Sequence, residues 1–351
     1  GSVPQTSHFE GASTVSPDDT NEIRLVYGSL NSPDSDPRTR VWDAASQSWS
    51  TVTFSTGSSG RKRALQHELS PTSSEELSAF YSDQGGSLII DVARWDGAAW
   101  NLDISRTLND NRHSDKRQFD INYESMSGDA LFVYSDDGTT LYYQTRVAGV
   151  WSGEQTLYAS APNGAWPLFI QLVPQPGSNR IALVFCDSDN DLYSTIWDGT
   201  QWLETATEIE IDTSLESSYR ENFQAAYESL SGDLVVCYGD NGGNDGFSII
   251  TMSGNTNTWS SVQRWRPAYG QNAYFMKITP DLYSDHMSCI FKGNGTNIEV
   301  GIWNGEQMVD FNRLEYDADA SDVGDMPIAT AWIGSTGNSI FIYKDKEEND
   351  S

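Results

Sequence analysis

The chain has 351 residues, with 50 Asp and Glu against 21 Lys and Arg, for a formal net charge of −29. So acidic a surface disfavours nucleic acid and anionic membranes as partners. No apolar run approaches the roughly 20 residues that cross a bilayer as a helix, so membrane insertion is not expected.

Taken in order, the chain reads as short strands closed by turn residues. Strands are expected at 8–15, 22–27 and 39–43, with a fourth starting at Trp49. The next group places strands at 77–81 and 87–95. Residues 119–151 give the clearest unit. There 119–124 ends at Ser125-Met126-Ser127-Gly128-Asp129, 130–134 ends at Ser135-Asp136-Asp137-Gly138, and 141–147 ends at Ala148-Gly149 before Trp151. Alternating or apolar runs between Ser-Gly and Asp-Gly turns predict an antiparallel meander. The same order returns at 180–185 and 192–197, and again at 327–333 and 339–343.

These units repeat. The aromatic closing each second strand recurs as Tyr27, Tyr81, Tyr134, Phe185, Tyr238, Phe291 and Tyr343, in steps of 54, 53, 51, 53, 53 and 52 residues. Tyr123-Glu124-Ser125-Met126-Ser127-Gly128-Asp129 returns as Tyr227-Glu228-Ser229-Leu230-Ser231-Gly232-Asp233. Trp95-Asp96-Gly97, Trp197-Asp198-Gly199 and Trp303-Asn304-Gly305 mark the third hairpin, for which a type I′ turn is expected. Four-stranded repeats of about 50 residues predict an all-β propeller. The expected blades are 8–55, 63–105, 119–158, 166–210, 221–263 and 272–315, with a half-blade at 325–345, all in one domain spanning 1–351. Twelve Trp, sixteen Tyr and thirteen Phe supply rings to fill the space between blades.

Seven repeats with the seventh half present leave three possibilities open: a natural chain continuing past Ser351, six-bladed closure with an extra hairpin, or strands supplied by another chain. Residues 339–343 are apolar at four consecutive positions, as in a strand buried on both faces. Its free edge is therefore expected to be paired or covered, by residues 3–6, by a neighbouring chain or by natural sequence beyond Ser351.

The Trp-[Asp/Asn]-Gly hairpins, with the aromatic-ended strand before them, resemble the repeat of fungal fucose-binding lectin propellers and of secreted microbial surface propellers. That resemblance implies sugar pockets between blades, each built from an Arg, a Glu and an aromatic. At fixed offsets no such trio recurs. Glu299 and Asp91 hold roughly the acidic position of the third strand, where the third repeat has Gln144, and Arg24 has no counterpart in most repeats.

Cations gather before the first strands of blades. Arg61, Lys62, Arg63, Arg106, Arg112, Lys116, Arg117, Arg220, Arg264 and Arg266 make ten of the 21. Arg63, Arg117 and Arg220 are candidates for a basic mouth that receives carboxylate or phosphate groups, with Trp166 stacking on a sugar ring. Asp187, Asp189 and Asp191 offer hard oxygens at alternate positions, so calcium is the candidate cofactor; ordinary turn chemistry explains the same residues. Cys186, Cys237 and Cys289 read as small core hydrophobes. No nucleophile, acid–base pair or metal spacing argues for catalysis. Ser135-Asp136-Asp137-Gly138-Thr139 is a poor match to a sialidase box, and Glu124 and Glu228, being repeat-equivalent, read as structural. The expected function is an extracellular, non-enzymatic binding or adhesion domain for glycans or acidic surface ligands. The alternatives are a surface-filament subunit self-associating through the incomplete last blade, and a divergent glycoside-processing enzyme.

Overall fold

The computed structural model describes residues 13–15, 22–27, 37–54, 61–83, 87–108, 116–136, 138–158, 161–203, 207–210, 221–239, 246–265, 273–293, 297–315 and 328–343. These form two compact units. One holds Gly1–Ser188 with Ile196–Leu203, the other Asp189–Thr195 with Glu204–Ser351.

Each repeat folds as one antiparallel sheet in sequence order. The first is β1 (Ser13–Val15), β2 (Glu22–Tyr27), β3 (Arg38–Asp43) and β4 (Ser48–Val52). The second is β5 (Arg61–Leu69), β6 (Glu76–Asp83), β7 (Leu88–Trp95) and β8 (Trp100–Thr107). The third is β9 (Phe119–Tyr123), β10 (Ala130–Ser135) and β11 (Leu141–Val147), whose outer strand is broken into β12 (Val150–Trp151) and β13 (Gln155–Tyr158). The fourth is β14 (Pro167–Pro174), β15 (Ile181–Asp187), β16 (Leu192–Trp197) and β17 (Thr207–Glu210). The fifth is β18 (Phe223–Tyr227), β19 (Leu234–Gly239), β20 (Phe247–Met252) and β21 (Gln263–Trp265). The sixth is β22 (Ala273–Pro280), β23 (Met287–Gly293), β24 (Ile298–Trp303) and β25 (Met308–Glu315). The seventh has two strands, β26 (Ile328–Trp332) and β27 (Ser339–Tyr343). These are the blades of a β-propeller.

The second strands β10, β15 and β19 are buried throughout, which their unbroken apolar runs require. The outer strands β8 and β25 mix buried and exposed positions, as strands covered on one side do. In the first unit, Leu77, Ala79 and Tyr81 of β6 pack against Ala130, Phe132 and Tyr134 of β10. In the second, Val235 and Cys237 of β19 pack against Met287, Cys289 and Phe291 of β23. Every second residue of each strand faces its neighbour sheet.

Two expectations need correction. The Trp-Asp-Gly hairpins are not type I′. Trp95 pairs with Trp100 across four residues, and Asp96 N–H donates to Ala99 O. Only the glycines have positive φ, +96° at Gly97, +97° at Gly199 and +94° at Gly305. The preceding Asp or Asn folds the turn through its side chain: Asp198 Oδ1 accepts N–H bonds from Thr200 and Gln201, as Asn304 Oδ1 does from Glu306 and Gln307. The second correction is β27, which is not buried on both faces. Phe341 and Tyr343 pack on the core, while Ile340 is 46% and Ile342 62% exposed. Among the described residues it pairs only with β26. The segment 3–6, expected as one cover, lies outside the described residues.

The turns between first and second strands are tied to one another. Ser127 N–H donates to Asn179 Oδ1 (2.9 Å), and Leu230 and Ser231 N–H donate to Asp285 Oδ1 (2.8 and 2.9 Å). The same turns carry a latch. Trp197 Nε1 donates to Glu124 Oε1 (2.8 Å) and Trp303 Nε1 to Glu228 Oε1 (2.6 Å), while Ser127 and Ser231 donate to the other carboxylate oxygens. The two near-identical turn sequences thus each precede a sheet whose third strand ends in Trp.

Candidate functional site

The sequence-selected residues fall in separate places. Arg117 is buried, and its Nη1 donates to Ile170 O (2.5 Å) and Phe119 O (3.3 Å), with Asp120 at 3.6 Å. It fastens β9 to β14. Arg63 lies in β5 opposite Tyr81, but its side chain is outside the described residues, as is all of Arg220. Trp166 is half-buried; its N–H donates to Ser188 Oγ (3.1 Å), and Ser188 N–H donates to Trp166 O (2.8 Å). Asp187 is buried, Asp189 is exposed, and Asp191 accepts from Tyr193 Oη (3.3 Å). Among the described residues, no group of three or more His, Cys, Asp or Glu is placed to hold a metal.

The structure does assemble sets of Arg, carboxylate and aromatic, from residues at unequal offsets in the repeat. Between the first and second sheets, Arg24 pairs with Glu76 (2.5 Å), lies 4.4 Å over the Trp95 ring, and shares Glu76 with His67 (3.1 Å). Those side chains are 9%, 2% and 0% exposed, closed to any ligand. Between the second and third sheets, Arg146 pairs with Glu75, which also accepts from Tyr123 Oη (3.1 Å), and Asp103 accepts from Trp151 Nε1 (3.0 Å) and Arg94 Nε (3.1 Å). Arg146 is again nearly closed. Both sets are internal ion pairs.

A third set is open. Arg106 near the end of β8 pairs with Glu154 between β12 and β13, with about a third of each side chain exposed (33% and 30%). Arg106 Nη1 donates to Tyr134 Oη (3.1 Å), and Tyr134 donates to Glu154. The guanidinium sits 5.5 Å from the Tyr134 ring centroid and 5.1 Å from that of Tyr142. The two rings stack at 5.6 Å and 28°. Tyr142 Oη donates to Asp136 Oδ2 (3.4 Å). Burial pushes the Tyr134 hydroxyl up to about 12, with Arg106 pulling the other way, so it stays a proton donor at neutral pH.

Each residue is there for a local reason. Tyr134 closes the buried strand β10, with its ring in the seam and only its hydroxyl reaching out. Tyr142 is directly opposite it on β11. Glu154 comes within reach because the outer strand breaks after Trp151, through Ser152 and Gly153. Arg106 belongs to the strand β8, not to the loop expected from sequence. Its cation was visible in the sequence; Tyr134 read only as core, and no signal marked Glu154. The result is a half-exposed donor and a half-exposed acceptor beside an aromatic floor, which can bond paired hydroxyls and cover an apolar C–H face.

No protein-family model matches this chain, and no curated protein does. Solved structures do. The BP39L lectin from Burkholderia pseudomallei superimposes with a TM-score of 0.61 at 13% identity, over 86% of this chain and 82% of that one. A protein from Lactobacillus plantarum gives 0.54 at 10% identity, over 92% of each chain. AofleA from Arthrobotrys oligospora gives 0.50 at 11% identity, over 88% and 87%. This chain shares the fold of these structures. At such identities the likeness carries the fold and not the ligand.

Proposed function

We propose that this chain is a non-catalytic, extracellular glycan-binding domain, and that Arg106, Glu154, Tyr134 and Tyr142 form a sugar site. The observation that carries the reading is the Arg106–Glu154 pair, about a third exposed over two stacked tyrosines, where the Arg24 and Arg146 sets are closed. Glu154 accepts from a sugar hydroxyl, Arg106 donates to a neighbouring oxygen, and Tyr142 packs against the ring's C–H face. The fold's likeness to a lectin supports the class of ligand without naming the sugar. Glu124 and Glu228, the carboxylates an enzyme reading would use, are committed to indole N–H groups.

The test is a glycan array followed by calorimetry on wild type, R106A and E154Q. Binding to at least one glycan, weakened on the order of ten-fold or more by each variant, is expected from the loss of charge-assisted bonds. Binding unaffected by both variants rejects the site, and no glycan bound at all rejects the function. A second reading, a filament subunit, rests on the two-stranded last sheet with Ile340 and Ile342 exposed; polymers that form with rising concentration, without glycan binding, would support it.

A further inference from the structure

We infer that Cys237 and Cys289 are a disulfide-forming pair that cross-links the fifth and sixth sheets. Both sit on second strands, β19 and β23, whose facing residues interleave in one core cluster. In β19 alternation turns Val235 and Cys237 towards the sixth sheet; in β23 it turns Met287, Cys289 and Phe291 towards the fifth. Cys237 stands one residue before its repeat aromatic, Tyr238, and Cys289 two before Phe291, so the two point to opposite faces of equivalent strands. Opposite faces of consecutive sheets are the ones that meet. The thiols therefore face each other across the seam, within one core cluster. Cys289 Sγ also approaches Met287 O at 3.8 Å. Both residues are only 1% exposed.

The chemistry sets when the bond forms. With a small disulfide such as oxidised glutathione as oxidant, one protein thiolate attacks a glutathione sulfur and expels a glutathione thiolate. The second protein thiolate then attacks the mixed disulfide at the protein sulfur and expels the second glutathione. Two electrons pass from the two cysteines to the oxidant, one S–S bond forms as one breaks, and two glutathione thiols result. The attacking group must be a thiolate. The neighbouring thiol and burial both push Cys237 well up, so the closed seam holds it neutral and unreactive. Oxidation therefore belongs to folding, before the fifth and sixth sheets close on each other. The third cysteine, Cys186, lies on β15 in the first unit.

The experiment refolds the full chain in a reduced/oxidised glutathione buffer and, in parallel, fully reduced. Each sample is then denatured, alkylated and digested without reductant. A peptide carrying Cys237 joined to one carrying Cys289 is expected only in the oxidised sample, with Cys186 alkylated in both. The oxidised protein should melt roughly 5 °C above its reduced form, since a cross-link across some 50 residues restricts the unfolded chain. C289A should abolish the cross-link, and the wild-type peptide map decides the matter even where that variant folds poorly. Alkylation of both Cys237 and Cys289 after oxidative refolding would overturn the inference, as would a cross-link that includes Cys186.

Discussion

The seam between the second and third sheets and the seam between the fifth and sixth share one cross-strand pattern and end in different chemistry. Arg106 lies opposite Ile90, which lies opposite Tyr81; Trp265 lies opposite Phe247, which lies opposite Gly239. Across each seam stands the next repeat aromatic, Tyr134 in one and Phe291 in the other. Facing these on the third strands are Tyr142 and Glu299. In the first seam the tyrosine hydroxyl draws Arg106 and Glu154 into a half-open polar set. In the second, Phe291 stacks on Phe247 (4.1 Å, 18°) and Phe311 lies 6.0 Å from both, itself parallel to Trp265 (7°). Glu299 there turns to Arg313 (3.5 Å), and burial raises its carboxyl. One backbone pattern thus gives a wet edge or a dry one according to which side chain closes the second strand.

The largest effect that tests this difference is F291A. The ring is 3% exposed and central to the stack, so its removal should cost about 3–5 kcal/mol in denaturant unfolding. A loss below about 1 kcal/mol would mean the second seam is not the tightly packed one. G301A comes next. A Cβ there would meet the Met308 Cε at 2.5 Å and the Phe311 ring at 2.9 Å. The methionine end can move, but the ring is held in the stack, so a loss of about 1–3 kcal/mol is expected. An unchanged midpoint would show that Phe311 moves freely.

R106A sharpens the comparison from the other side. The Arg106–Glu154 pair is a third exposed, so its loss should change stability by no more than about 1 kcal/mol while glycan affinity falls on the order of ten-fold. W265A, at the matching place in the second seam, should leave that affinity alone. Equal losses from the two variants would erase the distinction between the seams.

How much of this was legible in the sequence follows from what each residue depends on. The strands repeat because each sheet needs the same buried second strand, and strands 22–27, 192–197 and 339–343 fall where the apolar runs place them. Alternation within 339–343 was hidden, since four consecutive apolar residues look alike whether one face or both are covered. The trios escaped a search at fixed offsets because Arg24, Arg106 and Arg146 come from a second, a fourth and a third strand. Glu154 depends on a break in an outer strand that no periodicity marks. Arg117 read as a loop cation because nothing local shows that Ile170 O lies within its reach.

The smallest expected effect concerns the latches between the third and fourth sheets and between the fifth and sixth. Burial raises Glu124 and Glu228 above the ordinary carboxyl value of 4.5, while the serine and indole donors pull the other way. A carboxyl whose folded pKa exceeds its unfolded one binds its proton more tightly when folded. Its favourable contribution is complete below about pH 4.5 and is lost as pH rises through the folded pKa. Asp198 is shifted in the opposite sense, but it titrates alike in wild type and in a latch variant, so it cancels in the difference. E228Q keeps an oxygen to accept from Trp303 Nε1 and removes the ionisation. Unfolding midpoints of wild type and E228Q, measured from about pH 4 to about pH 8, should therefore draw apart in a fixed direction, the glutamine variant gaining on wild type as pH rises. Parallel curves would mean that Glu228 ionises as easily folded as unfolded, and that the latch is open to water.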